Sequence, residues 1–211
     1  MRRLPVYLLI DTSGSMTGEP IEAVKVGLQT MVSALRADPY ALETAFLSVI
    51  TFSDTATQLV PLTELVQFQV PTISASGTTA LGGALSLLAD CIARDVKKTT
   101  AEAKGDWKPV CFLLTDGQAT DDLNRGIEAL KRVKVGTLVA CAAGPGANTS
   151  ELRKITEAVV TLDTADSNTL KAFFQWVSAS VSVSSQKVDR AKEVDGLSEL
   201  PPPPPEVNVA M

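Results

Sequence analysis

Short runs rich in Val, Ile, Leu and Phe alternate along the chain with longer stretches in which apolar residues recur every three or four positions. That alternation predicts repeated β-α units around a mainly parallel sheet, an α/β fold. Strands are expected over Pro5 to Ile10, Leu47 to Phe52, Val110 to Leu114, Val135 to Cys141 and Val159 to Leu162. Their apolar runs are continuous rather than alternating, as in strands covered on both faces. A weaker segment, Thr57 to Leu59, follows the turn-like Ser53-Asp54 and fits a short antiparallel edge strand. Helices are expected over Ile21 to Leu35, Leu81 to Val96, Asp122 to Val133, Ser150 to Ala158 and Ser167 to Val181. In the first, Val24, Leu28, Met31, Val32 and Leu35 make one apolar face, and Pro20 suits a first turn. Beyond Val181 the periodicity fades, and Pro201 to Pro205 form an unbroken polyproline run. The sequence therefore reads as one domain over residues 1–183 and a flexible proline-rich tail over 184–211.

Composition narrows the chemistry. The 19 Lys and Arg against 24 Asp and Glu give a net charge of −5, with no basic run to neutralise phosphates, so nucleic acid is not the expected partner. No His is present, which removes Ser-His-Asp and Cys-His catalysis and His-liganded zinc. Cys91, Cys111 and Cys141 each lie in an apolar run with no Cys-x-x-Cys pattern, and read as core residues of a reducing compartment. The apolar stretch Leu4 to Ile10 is cut short by Asp11, and no stretch approaches a membrane span. A cytoplasmic protein is expected.

The candidate chemistry sits where strands end. Asp11-Thr12-Ser13-Gly14-Ser15 places three side-chain oxygens at alternate positions in a strand-to-helix turn. Ligands of open parallel sheets bind at such turns. Two further loops qualify: Ser76-Gly77-Thr78-Thr79-Ala80-Leu81 and Leu114-Thr115-Asp116-Gly117-Gln118. The combined donors are hard oxygens of low negative charge, which suit Mg²⁺ better than zinc. Taken alone, Asp-Thr-Ser-Gly-Ser is a capping sequence as readily as a metal loop. Asp121 and Asp122 follow Asp116 and could tune the site or face a partner, but read first as acids at the start of their own helix. Gly144-Pro145-Gly146 lacks the third glycine of a dinucleotide loop, and no GxxxxGK[ST] occurs. Trp107 suits a partner-facing anchor or burial equally, while Phe173, Phe174 and Trp176 read as core.

Asp-x-Ser-x-Ser, a Thr in a Gly-Thr-Thr turn, and Thr-Asp-Gly after an apolar strand together resemble the metal-ion-dependent adhesion site of von Willebrand factor A domains. The resemblance covers Leu4 to about Val183 and implies Asp11, Ser13, Ser15, Thr79 and Asp116 as ligands of Mg²⁺ or Mn²⁺. Thr79 fits the family spacing to Ala84-Leu85, with Thr78 the alternative. It further implies that the hydroxyls bind the ion directly, with the carboxylates bound directly or through water, and that a partner's Asp or Glu completes the shell. The stretches RRLPVYLLIDTSGSM, EPIEAVKVGLQT, DPYALET, KGDWKP, VACAAGP, VTLDTADS and WVSASV resemble bacterial TerY-type proteins associated with tellurium resistance. That resemblance implies a doubly wound, mainly parallel sheet of six strands, five parallel and one antiparallel at the edge. It also implies a scaffold beside a protein kinase and a metal-dependent Ser/Thr phosphatase, and not an enzyme. The competing expectation is a metal-dependent hydrolase or phosphatase using the same carboxylates.

Overall fold

The computed structural model describes residues 2–189 and 199–210. Its strands are β1 (Leu4–Asp11), β2 (Ala45–Phe52), β3 (Ala56–Glu64), β4 (Val110–Thr115), β5 (Thr137–Ala143), β6 (Val159–Leu162) and β7 (Asn208–Val209). Its helices are α1 (Glu19–Ala37), α2 (Pro39–Thr44), α3 (Leu81–Asp95), α4 (Leu123–Leu130), α5 (Thr149–Ile155) and α6 (Ser167–Asp189). The strands form one sheet in the order β3-β2-β1-β4-β5-β6-β7. Pairing from β2 through β6 is parallel, and the edges β3 and β7 run antiparallel to their neighbours.

Strand periodicity divides the core in two. Leu4, Val6, Leu8 and Ile10 join the cluster under α1 and α6, whereas Tyr7 and Leu9 join the cluster under α3, α4 and α5. This is the consequence of side chains alternating across a strand with helices on both faces. The central strands β1 and β4 are buried along their whole length, which explains why their sequences are continuously apolar. The three cysteines are buried free thiols, and Phe173, Phe174 and Trp176 lie in the core.

Strand order reverses between β1 and β4: β1 leads outward to β2 and β3 on one side, and β4 leads to β5 and β6 on the other. The carboxyl ends of β1 and β4 therefore border a crevice of the kind that holds ligands in open α/β sheets. On the far side of that crevice α3 and α4 approach backbone to backbone. A Cβ on Gly126 would lie 2.4 Å from the Gly82 carbonyl oxygen, and one on Gly82 would lie 2.3 Å from that of Asp122. Only glycine permits this crossing.

The C-terminal region differs from the sequence expectation. The helix placed over Ser167 to Val181 continues to Asp189, and residues 199–210 return to pack on the domain. Leu200 and Val207 are buried, and the Trp176 Nε1–H donates to the Pro201 carbonyl at 2.8 Å. β7 pairs with β6 as a seventh strand beyond the six expected. Pattern reading passed over this segment because it has only two strand residues and two buried apolar side chains, below any periodic signal. The expectation of a flexible tail at 190–198 lies outside the described residues. Trp107 is buried, with 6% of its surface exposed.

Candidate metal centre

Asp11 closes β1, fully buried, and its two carboxylate oxygens serve different loops. One accepts the Ser13 N–H at 2.8 Å, which tightens the turn that follows the strand. The other accepts the Thr115 hydroxyl at 2.6 Å, which ties the end of β1 to the end of β4. Thr115 Oγ1 also accepts the Gly117 N–H at 3.3 Å, so one hydroxyl positions both Asp11 and the turn carrying Asp116.

The hydroxyls continue the connection. Ser15 Oγ donates to Asp116 Oδ1 at 2.7 Å and lies 2.9 Å from Ser13 Oγ. Because the single Ser15 hydroxyl proton is committed to Asp116, Ser13 is the donor of the serine pair. Ser13, Ser15 and Asp116 thus form one unbroken chain of oxygens, with Asp11 anchoring the Ser13 backbone beside it.

Thr79 is brought in by the second loop, Ser76 to Leu81. Its hydroxyl lies 3.3 Å from where a Cβ would stand on Gly117, against the Asp116-Gly117 turn. Thr78 faces elsewhere: it is exposed, and its N–H and its hydroxyl both donate to Asp54 Oδ1 at 2.9 Å. The geometry therefore favours Thr79 over Thr78 as the oxygen facing the cluster. Gly77, at φ +77°, makes the turn ahead of them possible, and its carbonyl accepts the Gly14 N–H at 2.9 Å. Ser76 N–H donates to the Thr12 carbonyl at 2.8 Å, a second stitch between the first and second loops.

Three supporting residues were not singled out from sequence for these roles. Asp54, beyond β2, holds the Gly77-Thr78 turn through the bonds just described. Thr120 accepts the Thr79 N–H at 3.1 Å and returns its own N–H to the Thr79 carbonyl at 2.9 Å. Asp121 accepts the Gly82 and Gly83 N–H groups at 2.8 and 2.7 Å, so it caps α3 and not its own helix. Asp122 caps α4 through the Arg125 N–H at 3.1 Å, as expected. The missing signal is legible afterwards: α3 starts at Leu81 behind Ala80, with no side-chain cap of its own.

Electrostatics favour a cation here. Burial pushes the Asp11 carboxyl above its ordinary range, opposed by the bonds from Thr115 and Ser13 and reinforced by the nearby Asp116 charge. Burial likewise raises Asp116, against the Ser15 bond. Both anions are destabilised by lost hydration, the circumstance a bound cation reverses. Among the described residues no group of three or more His, Cys, Asp or Glu gathers to hold a metal. The available donor set is two carboxylates and three hydroxyls, all hard oxygens, which fits a hard divalent ion that keeps water ligands.

A family model for the von Willebrand factor type A domain matches residues 6–176. The chain belongs to that family. Among solved structures, the domain resembles proximal thread matrix protein 1 from the mussel byssus, solved with a zinc-occupied metal-ion-dependent adhesion motif, at 23% identity and a TM-score of 0.61. It also resembles the von Willebrand factor type A protein of Catenulispora acidiphila at 23% identity and a TM-score of 0.61, and the pilus adhesin SpaC of Lactobacillus rhamnosus GG at 14% and 0.67. These likenesses cover 86–87% of this chain but 46%, 43% and 31% of the three structures, so the chain spans less than half the length of each. No curated protein matches the chain. Domains of this family mediate protein–protein interaction and bind a divalent metal at the adhesion motif. No helix among the described residues is long and apolar enough to cross a membrane.

Proposed function

We propose that this von Willebrand factor A domain is a metal-dependent protein-interaction module. In this reading Asp11, Ser13, Ser15, Thr79 and Asp116 hold Mg²⁺ or Mn²⁺, and an Asp or Glu of a protein partner completes the site. The observation that carries it is the convergence of three separate loops on one oxygen cluster, with Ser15 bonded to Asp116 across 101 positions of sequence. A bound ion supplies an electrophilic position at which a partner carboxylate can attach. The chain's own contribution is to hold the hydroxyls and the two destabilised carboxylates in place around it. With three neutral hydroxyl ligands, and a carboxylate acting through water rather than directly, the site would leave a divalent ion attractive to one further anion.

The module acts as a scaffold and not as an enzyme. Nothing in the cluster supplies a proton-transfer group beyond the two carboxylates, and both are hydrogen-bonded within it. Its setting, from the TerY-type resemblance, is a cytoplasmic bacterial complex with a protein kinase and a metal-dependent phosphatase that responds to tellurite or related stress. The three unpaired buried thiols suit a reducing compartment.

The test measures Mg²⁺ and Mn²⁺ binding by calorimetry, then capture of the purified kinase and phosphatase, with wild type in Mg²⁺, wild type in EDTA, and Asp116→Ala. Expected are stoichiometric metal binding and capture of one partner by wild type in metal alone, with native circular dichroism for the variant. Capture indifferent to EDTA and to the substitution overturns the metal-bridged reading. Turnover of a phosphate ester by the isolated protein, lost in Asp116→Ala, establishes the hydrolase reading instead.

A further inference from the structure

A second site-like feature lies at the opposite pole of the sheet. A cavity of about 630 Å³ opens where the chain enters β1 and β4 and where α3 and α4 end. Six cationic residues line it: Arg2, Lys97, Lys98, Lys108, Arg132 and Lys134. That concentration stands out in a chain whose net charge is −5. The one acidic residue of the wall is Asp106. It does not neutralise its neighbours, because its carboxylate is taken by the Arg3 guanidinium at 2.9 Å and by the Lys97 N–H at 2.8 Å.

Arg2 is held without a carboxylate. Arg2 donates to the carbonyls of Gly105 at 2.8 Å and Asp106 at 3.4 Å, and its guanidinium lies 3.8 Å from the centre of the Trp107 ring. Its charge is thus fixed in place by dipoles and an aromatic face. Among the described residues no ion pair engages Lys97, Lys98, Arg132 or Lys134. Glu128, which feels Arg132, bonds to Lys131. Cations near helix C-termini complement the helix dipole, which accounts for Lys97 and Arg132 but not for Arg2, which belongs to neither helix. Apart from Thr99, whose hydroxyl accepts the Gly105 N–H at 3.0 Å, the rest of the wall is apolar and includes Ile92, Val96, Pro109, Val133 and the buried Trp107.

A basic rim over an apolar floor, bordering an open cavity whose volume lies within the ordinary range for small-ligand pockets, matches a ligand with anionic groups at one end and an apolar body at the other. We propose that this cavity binds a nucleoside phosphate or an organic phosphate of that size. Its phosphates lie on Lys97, Lys98, Arg132 and Lys134, and its body on Ile92, Val96 and Val133. The site is independent of the metal loops, so it stands or falls apart from the adhesion reading.

The experiment is calorimetry on the full chain in EDTA with AMP, ADP, ATP, adenosine, pyrophosphate and heparin. Expected is one-to-one binding of at least one nucleotide, with adenosine and pyrophosphate each about tenfold weaker or worse. Lys98→Glu with Arg132→Glu should weaken it about tenfold or more. Lys98→Ala with Lys134→Ala serves if charge reversal disturbs folding, and Asp116→Ala should leave binding unchanged. Absence of saturable nucleotide binding, pyrophosphate binding as tightly as nucleotide, binding of heparin alone, or affinity untouched by both double variants overturns the proposal.

Discussion

The two poles of the sheet are built from the same strands and carry opposite chemistry. At the carboxyl ends of β1 and β4, two carboxylates and three hydroxyls converge, their loops tied together by the bonds from Thr115 to Asp11, from Ser15 to Asp116 and from the Thr79 N–H to Thr120. At the amino ends, cations gather around an apolar wall with their one local carboxylate already spent on Arg3. The eight residues of β1 separate the poles by roughly 25 Å at the usual rise per residue, well beyond the screening distance at physiological salt. The comparison teaches that charge placement here is local. An overall acidic chain keeps a basic pole because the strands hold the two ends apart.

The sharpest way to break the comparison is to remove the charge from the first pole. Asp11→Asn should weaken Mg²⁺ on the order of 100-fold in calorimetry. The same change should leave the melting temperature in EDTA equal to wild type or higher, since it removes a buried anion that burial already disfavours. A marked loss of stability in EDTA would instead mean that the charge is held by contacts stronger than those described. Supporting residues come next. Thr115→Val and Asp121→Ala replace no proposed ligand, yet each should lower metal affinity about tenfold, because Thr115 orients Asp11 and Asp121 fixes the start of α3 behind Thr79. Neither should alter nucleotide binding at the far pole, and a matched loss there would show that α3 couples the two.

Thr79→Val and Thr78→Val sharpen the assignment within one loop. The first should weaken metal several-fold more than the second, whose hydroxyl is committed to Asp54. Equal effects would show that the turn as a whole, and not one oxygen, is what matters. The smallest expected effect is in pH dependence. Asp11 and Asp116 have folded-state values raised by burial, so the folded state binds their protons more tightly than the unfolded chain does. In EDTA their contribution to stability is therefore present below the raised values and is lost as pH climbs from the ordinary carboxylate range, about 3.9, through them. Saturating Mg²⁺ should reverse that slope, and Asp116→Asn should flatten it in urea melts. An unchanged slope in the variant would locate the proton uptake elsewhere.

Much of the fold was legible in the sequence because it rests on local apolar runs. The strands and most helices appear where continuous or periodic burial places them, and the weak segment at Thr57 to Leu59 became the antiparallel edge β3, longer than the pattern indicated. Its first six residues alternate between half-buried and exposed and none is fully buried, so only a stretch near its start carried a signal. α2 has six residues and one apolar side that Ala41 alone buries deeply among its hydrophobics, too little for periodicity to register. The return of residues 199–210 escaped for the same reason. At the site, Asp11, Ser13 and Ser15 lie within five residues and were visible as a motif, whereas Thr115, Thr120, Asp121 and Asp54 act through partners far away in the chain.

The basic cavity shows the limit most clearly. Arg2, the two lysines at 97 and 98, and the stretch from Arg132 to Lys134 come from three distant segments, and no one of them is a basic run. The sequence by itself determined the α/β class, the buried strands, the helix faces and the oxygen-rich loops, because those depend on which side chains neighbour one another along a strand or a turn. The tertiary structure alone decided which loop residues face the cluster, which acid caps which helix, and where uncompensated charge collects. Those depend on how sheet order and the glycine crossing of α3 and α4 bring distant backbone together.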